Sequence, residues 1–129
     1  MSEEEGKAVA RRWMDDVLNG RNVDLGDELL APDVVDHFHP GPPRLFLPFV
    51  EGAFPDFHFA TDDLFAGEGD RVVVRFTFTG THSGDSLGVP ATGKKITASG
   101  IAIMRVVNGK IAEFWESADL MQQIRAAAD

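Results

Sequence analysis

The dipeptide Asn108-Gly109 stands between two long apolar runs, and it constrains the fold more than any other feature. Asn-Gly is the strongest short-range signal for a two-residue hairpin turn, because both residues tolerate a positive φ. The flanking runs, 95–107 and 110–118, are rich in β-branched and aromatic residues, which favours strands. The sequence therefore predicts a long antiparallel hairpin near the end of the chain.

Alternation along the second strand of this hairpin sorts its side chains onto two faces. One face carries Phe114, Glu116 and Ala118, and the other carries Ile111, Glu113, Trp115 and Ser117. Glu116 therefore lies beside an aromatic ring on a well-formed strand. Glu116 is either a solvated surface acid or a catalytic acid in a pocket.

Helical patterns dominate the first part of the chain. Apolar residues recur every three to four positions over 2–19, and a short second helix begins at Asn22 or Asp24. Residues 44–53 are predicted to form a third short helix, and residues 119–128 a short terminal one.

Strand patterns follow these helices. We expect a short strand over 33–38, an alternating segment over 57–61 and a long strand over 71–81. Helices followed by long antiparallel strands indicate an α+β fold, with a curved antiparallel sheet wrapped on three N-terminal helices. Gly100, inside a strand, suggests a bend, and a bent sheet over helices forms a cone with an internal pocket.

Length and composition exclude several classes of protein. A chain of 129 residues is expected to form a single domain, 1–129, and the absence of cysteine excludes disulfides and thiolate chemistry. A net charge of −9 disfavours nucleic-acid and anionic-membrane partners. No apolar run reaches the length of a membrane span, and the acidic N-terminus is unlike a secretory signal, so we expect a cytoplasmic protein. Ten phenylalanines and no tyrosine fit an apolar core or an apolar cavity.

Six segments carry a resemblance to a known family. They are Phe-Pro-Asp-Phe-His-Phe (54–59), Gly-Asp-Arg-Val-Val-Val-Arg-Phe (69–76), Gly-Thr-His-Ser-Gly (80–84), Leu-Gly-Val-Pro-Ala-Thr-Gly-Lys (87–94), Ser-Gly-Ile-Ala-Ile-Met-Arg (99–105) and Asn-Gly-Lys-Ile-Ala-Glu-Phe-Trp (108–115). In this order and spacing they resemble the SnoaL-like polyketide cyclase family of the nuclear-transport-factor-like (cystatin-like α+β barrel) superfamily. The resemblance covers nearly the whole chain. It implies three helices closing a cone, a deep apolar pocket and a homodimer, which we expect to form through the outer sheet face.

The resemblance also implies a chemistry without metal or cofactor. The family's cyclases use an aspartate on the last strand as acid and base in an intramolecular aldol closure, and that position falls at Glu116. In the family, polar residues on the neighbouring strand hold the substrate. Those positions fall at Gly100 and Ala102, which have no polar side chain. Phe114 stands where the family often has histidine. These departures count against the usual cyclase reaction and predict extra volume in the pocket.

Two histidines lie on the same face of the short strand that ends in prolines. In the family a histidine here commonly points into the pocket, so we expect His37 to be a second polar group beside Glu116. His39 is a further pocket candidate, or is exposed. The pair could bind a metal, but no third ligand is visible nearby, so no metal site is predicted.

Three other polar residues receive structural interpretations. Asp36 points away from the histidines and is expected to be a surface or capping acid. His58 is expected to be exposed or to lie on the sheet face of the dimer. His82 lies in the glycine-rich segment 80–93 and is expected to make a loop hydrogen bond. That segment is either a lid or a plain hairpin connection.

The leading hypothesis is a small pocket protein that acts on an apolar or polyketide-like molecule. Glu116 would supply acid/base catalysis for a cyclisation, isomerisation or dehydration, with His37 assisting. The predicted pocket wall consists of Trp13, His39, Phe49, Gly100, Ala102, Met104, Phe114 and Ala118. The alternative is a non-catalytic ligand-binding or dimerisation module, which the bare positions 100 and 102 favour. An epoxide hydrolase is less favoured, because the required Asp-Arg-Asp set is missing.

Overall fold

The computed structural model describes residues 3–38, 46–86 and 88–128. The helices are α1 (Glu3–Arg12), which continues as a π-helical segment (Trp13–Asn19), α2 (Val23–Leu29), α3 (Phe46–Ala53) and α4 (Leu120–Ala128). The strands are β1 (Leu30–Asp36), β2 (His58–Ala66), β3 (Arg71–Thr81), β4 (Lys95–Val107) and β5 (Lys110–Ala118). The predicted α+β class and the short C-terminal helix are confirmed. In the described part of the chain, no helix combines the length and the apolar character needed to cross a membrane.

The five strands form one open sheet in the order β1-β5-β4-β3-β2. β2 to β5 pair antiparallel, as expected, whereas β1 pairs parallel to β5 at the edge. The sheet is therefore mixed rather than purely antiparallel. β1 and β5 are far apart in the sequence, so no tight turn between them imposes opposite directions.

The hairpin turn has the geometry that its dipeptide predicts. Asn108 and Gly109 take φ values of 52° and 76°, as a type I′ turn requires. The alternation beyond it is interrupted, because Val106 pairs with Ile111 while Arg105 pairs with Glu113. This bulge turns Ile111 into the core, where it is 0% exposed, so the prediction that it shares a face with Glu113 and Trp115 is wrong.

The first helical region ends at Gly20, where the backbone packs closely. Its φ is −76°, so it does not adopt the left-handed conformation common at helix ends. A Cβ atom at this position would instead collide with the carbonyl oxygen of Asp16. The next helix begins where the sequence predicts, because the Asn22 side chain accepts a hydrogen bond of 3.0 Å from the Leu25 N–H.

The core lies between the helices and the concave face of the sheet. Alternate residues of β3 and β4 point inward and are buried: Val72, Val74, Phe76 and Phe78 on β3, and Ile96, Ala98, Ala102, Met104 and Val106 on β4. Where Phe76, Phe78 and Ala98 face inward, the interior opens into a cavity.

Candidate functional site

A cavity of about 460 Å³ lies between the concave face of the sheet, α3 and α4. Seven of the ten phenylalanines contribute to its wall. The lining residues are Phe38, Phe46, Phe49, Val50, Phe54, Phe59, Phe76, Phe78, Ser86, Ala98, Glu116, Ala118, Leu120, Met121 and Ile124. Phe38 and Phe49 are 39% and 44% exposed, which puts them at the rim. The phenylalanine-rich composition thus serves both an apolar core and an apolar cavity, which composition alone could not distinguish.

Glu116 extends from β5 into this apolar cavity. Its carboxyl group is largely enclosed by protein. Among the described residues none donates a hydrogen bond to it. Loss of hydration, followed by the negative charge of Asp36, raises the pKa of Glu116 to about 8. At neutral pH the group is therefore mostly protonated, so it can donate a proton and then take one back.

Asp36 lies at the edge of the sheet and has a second role besides the predicted one. It pairs with buried Phe114 in the parallel β1–β5 ladder, and its Oδ1 accepts a hydrogen bond of 2.9 Å from the Phe38 N–H. It does form a local turn, as expected of a capping acid. It also repels a charge on Glu116, which the sequence pattern does not reveal.

His37 lies on the opposite face of the sheet from Glu116. Its Nε2 is 2.6 Å from Oε2 of Glu113, and its ring stacks on Trp115 with centroids 5.2 Å apart. The expectation that His37 shares the pocket is not met, because the register that turns Asp36 inward turns the next residue outward. Hydrogen bonds from His37 and Arg105 hold the pKa of Glu113 below its usual value. The pKa values of Glu113 and Glu116, on the same strand, are therefore shifted in opposite directions.

Two further histidines receive predictions from the sequence, and the structure tests one of them. His39 lies outside the described residues. His58 is exposed at the start of β2, as expected. Within residues 3–38, 46–86 and 88–128, no three His, Asp or Glu side chains come together in a metal-binding arrangement.

Only part of the predicted pocket wall lines the cavity. Phe49 and Ala118 do so. Four others are buried in the core below it, namely Trp13, Ala102, Met104 and Phe114. Trp13 packs on Phe114 with ring centroids 6.4 Å apart, so it belongs to the core rather than to the cavity wall.

Gly100 provides no additional cavity volume, contrary to the expectation. A Cβ atom placed there would lie 2.6 Å from Cζ of Phe76 and 2.9 Å from Cβ of Ala118. Real Cβ atoms do not approach so closely. The ring of Phe76 therefore occupies the space that a larger side chain at position 100 would need.

Ser86 is a cavity residue that sequence reasoning missed. It is 3% exposed, and its Oγ lies 3.2 Å from Nε2 of the fully buried His82. His82 makes hydrogen bonds within the loop, as expected, and its ring stacks on Phe54 at 5.3 Å. A serine in a glycine-rich loop carries no sequence signal for a cavity, so only the folded loop brings this hydroxyl group to the wall.

Known structures resemble the chain over almost its entire length. A candidate polyketide cyclase from Acidithiobacillus ferrooxidans is 28% identical, with a TM-score of 0.79 over 95% of this chain and 96% of that chain. IdmH of Streptomyces antibioticus, also a candidate polyketide cyclase, is 26% identical, with a TM-score of 0.76 over 95% and 96%. AclR of Streptomyces galilaeus, a candidate hydroxylase, is 24% identical, with a TM-score of 0.82 over 98% and 86%, and supports the fold alone.

The family assignment depends on the sequence profile rather than on these structures. No curated protein matches the sequence significantly. The profile of the SnoaL-like polyketide cyclases, in contrast, matches residues 8–127. This span contains every strand and the acid in the cavity. The chain therefore belongs to the SnoaL-like polyketide cyclase family.

Proposed function

We propose that this protein binds an apolar, polyketide-like small molecule in the cavity and that Glu116 transfers a proton on it. The observation that carries this proposal is a carboxyl group in an apolar cavity with its pKa raised to about 8. A general acid or base works best when its pKa is close to the working pH. Family membership supports a small-molecule substrate.

One carboxyl group suffices for the proposed chemistry. In an aldol closure, a carbon next to one carbonyl group loses a proton and bonds to a second carbonyl carbon, whose oxygen gains a proton. If Glu116 gives a proton to that oxygen and takes one from the carbon, it ends in its starting state. Isomerisation and dehydration need the same exchange, with the proton returned to another carbon or a hydroxyl group released as water. None of these steps requires His37.

The test uses a bicyclic ketone as the probe. 2-Tetralone is apolar, and its C1 hydrogens are acidic enough to exchange with deuterium through an enolate. We expect the wild-type protein to accelerate this exchange in heavy water, as followed by proton NMR. Glu116→Gln keeps the size of the side chain and removes the exchangeable acid, so the rate should fall to that of buffer.

A matched control lies on the same strand. Glu113→Gln makes the same change on the outer face, away from the cavity, and should keep the wild-type exchange rate. Retained acceleration in Glu116→Gln would contradict the assignment of Glu116 as the acid and base.

The second candidate is a non-catalytic binding protein with the same cavity. Among the described lining residues only Glu116 and Ser86 have polar side chains, which favours this alternative. Few groups are then present to hold and polarise a reacting molecule. Binding of 2-tetralone without faster deuterium exchange would support this alternative over catalysis.

We also propose a homodimer that uses the outer face of the sheet. The cross-strand pairs place Phe65, Val73, Ile103 and Trp115 in one row across four strands. Phe65 is 49% exposed, and Ile101 beside the row is 48% exposed. An apolar row of this kind on an exposed sheet face is typical of a surface that a second copy covers.

A further inference from the structure

The loop between β3 and β4 holds one hydroxyl group at the cavity wall. Ser86 is 3% exposed and lines the cavity. Its backbone is fixed by two hydrogen bonds with Val89, of 3.0 and 2.8 Å. The hydroxyl group therefore has a defined position, and its hydrogen-bonding state depends on His82, whose ring nitrogen lies against its oxygen.

The hydrogen bonds of His82 determine which of its ring nitrogens carries hydrogen. The Thr92 N–H donates to Nδ1 at 3.3 Å, so Nδ1 is an acceptor. Oγ1 of Thr92 accepts from the Lys94 N–H at 3.2 Å and also lies 3.2 Å from Nδ1, which leaves its own hydrogen for that nitrogen. A histidine whose Nδ1 accepts hydrogen bonds is neutral and carries its hydrogen on Nε2.

This tautomer determines what Ser86 can do. The Nε2–H of His82 donates to Oγ of Ser86 at 3.2 Å. His82 therefore cannot remove the hydroxyl proton, which excludes a serine nucleophile activated by this histidine. The serine hydrogen is left to donate, and the described protein groups offer it no other acceptor, so it is available to a molecule in the cavity.

The residues that line the cavity indicate which class of molecule it binds. No lysine or arginine is among the described lining residues, and the protein carries a net charge of −9, so an anionic ligand is disfavoured. We propose that Ser86 donates a hydrogen bond to a carbonyl oxygen of a neutral, otherwise apolar ligand, and that His82 is the positioning residue for that hydroxyl group. This proposal rests on the proposed small-molecule function of the cavity.

The test compares two ligands of the same shape. One is 2-tetralone, and the other is its 2-methylene analogue, in which a CH₂ group replaces the carbonyl oxygen. Ser86→Ala should weaken binding of the ketone about fivefold, as expected for one neutral hydrogen bond, and leave binding of the methylene analogue unchanged. Ser86→Thr keeps a hydroxyl group and should restore ketone binding. Affinities come from fluorescence titration of the full chain, with thermal unfolding as a check on folding.

A spectroscopic measurement tests the role of His82 independently. Long-range proton–nitrogen NMR spectra should show His82 with hydrogen on Nε2 and none on Nδ1. The reverse tautomer would overturn the proposal, because Ser86 would then donate to His82. Equal weakening of both ligands by Ser86→Ala, or no weakening of either, would overturn it as well. Failure of both ligands to bind the wild-type protein would contradict the proposed function itself, and the role of Ser86 with it.

Discussion

Ala102 lies directly opposite Glu116 across the β4–β5 ladder. The neighbouring strand thus presents a methyl group to the carboxyl group, at a position where the family resemblance implies a polar side chain. Without a donor from this strand, burial dominates and the pKa of Glu116 rises to about 8. The same pairing makes Ala102 the position from which this pKa can be adjusted.

Ala102→Ser should lower the pKa of Glu116. Cβ atoms of opposed residues are about 4.5–5.5 Å apart, so a serine hydroxyl group could donate to the carboxylate and favour the charged form. The midpoint in a carbon NMR titration of the Glu116 carboxyl group should therefore move below 8. Ala98→Ser, on the same strand and face but farther from Glu116, should leave the midpoint unchanged. An unshifted midpoint in Ala102→Ser would show that the hydroxyl group does not reach the carboxylate.

Glu116 should make the protein less stable as the pH rises. The carboxyl group titrates near 4.5 when unfolded and near 8 when folded, so between these values the folded state holds a proton that the unfolded state has released. The free energy of unfolding therefore falls as the pH rises from about 4.5 to about 8, by on the order of 5 kcal/mol. Glu116→Gln should remove this loss, and urea unfolding across this pH range measures it.

Glu113→Gln should change the pH dependence of stability in the opposite direction from Glu116→Gln. Hydrogen bonds from His37 and Arg105 lower the pKa of Glu113, so its stabilising effect is present above the unfolded pKa and is lost as the pH falls through the folded one. This variant should therefore be destabilised at neutral pH and match the wild type in acid. The same trend with pH in both variants would argue that Glu116 is solvated.

Gly100→Ala should destabilise the fold. The added methyl group would overlap the ring of Phe76 and the side chain of Ala118, and overpacking of this kind costs about 1–3 kcal/mol. Gly52→Ala is the matched control, because nothing lies within 4 Å of the place that its Cβ atom would take, and alanine favours helix α3. This control should gain about 0.5–1 kcal/mol in denaturant unfolding. Equal stability of the two variants would mean that Phe76 moves away from position 100.

His82→Ala should cost roughly 2–4 kcal/mol, since it leaves a buried cavity and removes the acceptor of the Thr92 N–H. His58→Ala is the comparison, because His58 is exposed and its removal should change stability by less than about 0.5 kcal/mol. Chemical denaturation of both variants gives the difference. Similar values for the two would show that the loop around His82 is not part of the folded core.

Phe65→Glu should weaken the proposed dimer. Phe65 is half exposed at one end of the outer row, so a charge is tolerated in the monomer and is costly only when a second copy covers it. Sedimentation equilibrium should show at least about a tenfold increase in the dissociation constant. Gln122→Glu adds the same charge at an exposed position of α4 and should leave the dissociation constant unchanged. Wild-type protein that is monomeric at all concentrations would refute the dimer.

Much of the site was predictable because its signals are local. The turn at Asn108-Gly109 and the cap at Asn22 depend on neighbours within a few residues. Alternation correctly separated Glu116 from Glu113 and Asp36 from His37. Alternation could not show whether Asp36 or His37 faces the cavity, because that depends on the register of β1 against β5, which is more than 70 residues away.

By itself, the sequence determined the order of helices and strands, the long hairpin, the family and the acid on its last strand, since all of these follow from short-range pattern or from resemblance. Only the tertiary structure decided the rest. The bulge in β5 buried Ile111, the parallel pairing of β1 brought Asp36 to Glu116, and the ring of Phe76 filled the space at Gly100. The folded loop brought Ser86 to the cavity wall. These outcomes depend on contacts between distant segments, which no local pattern encodes.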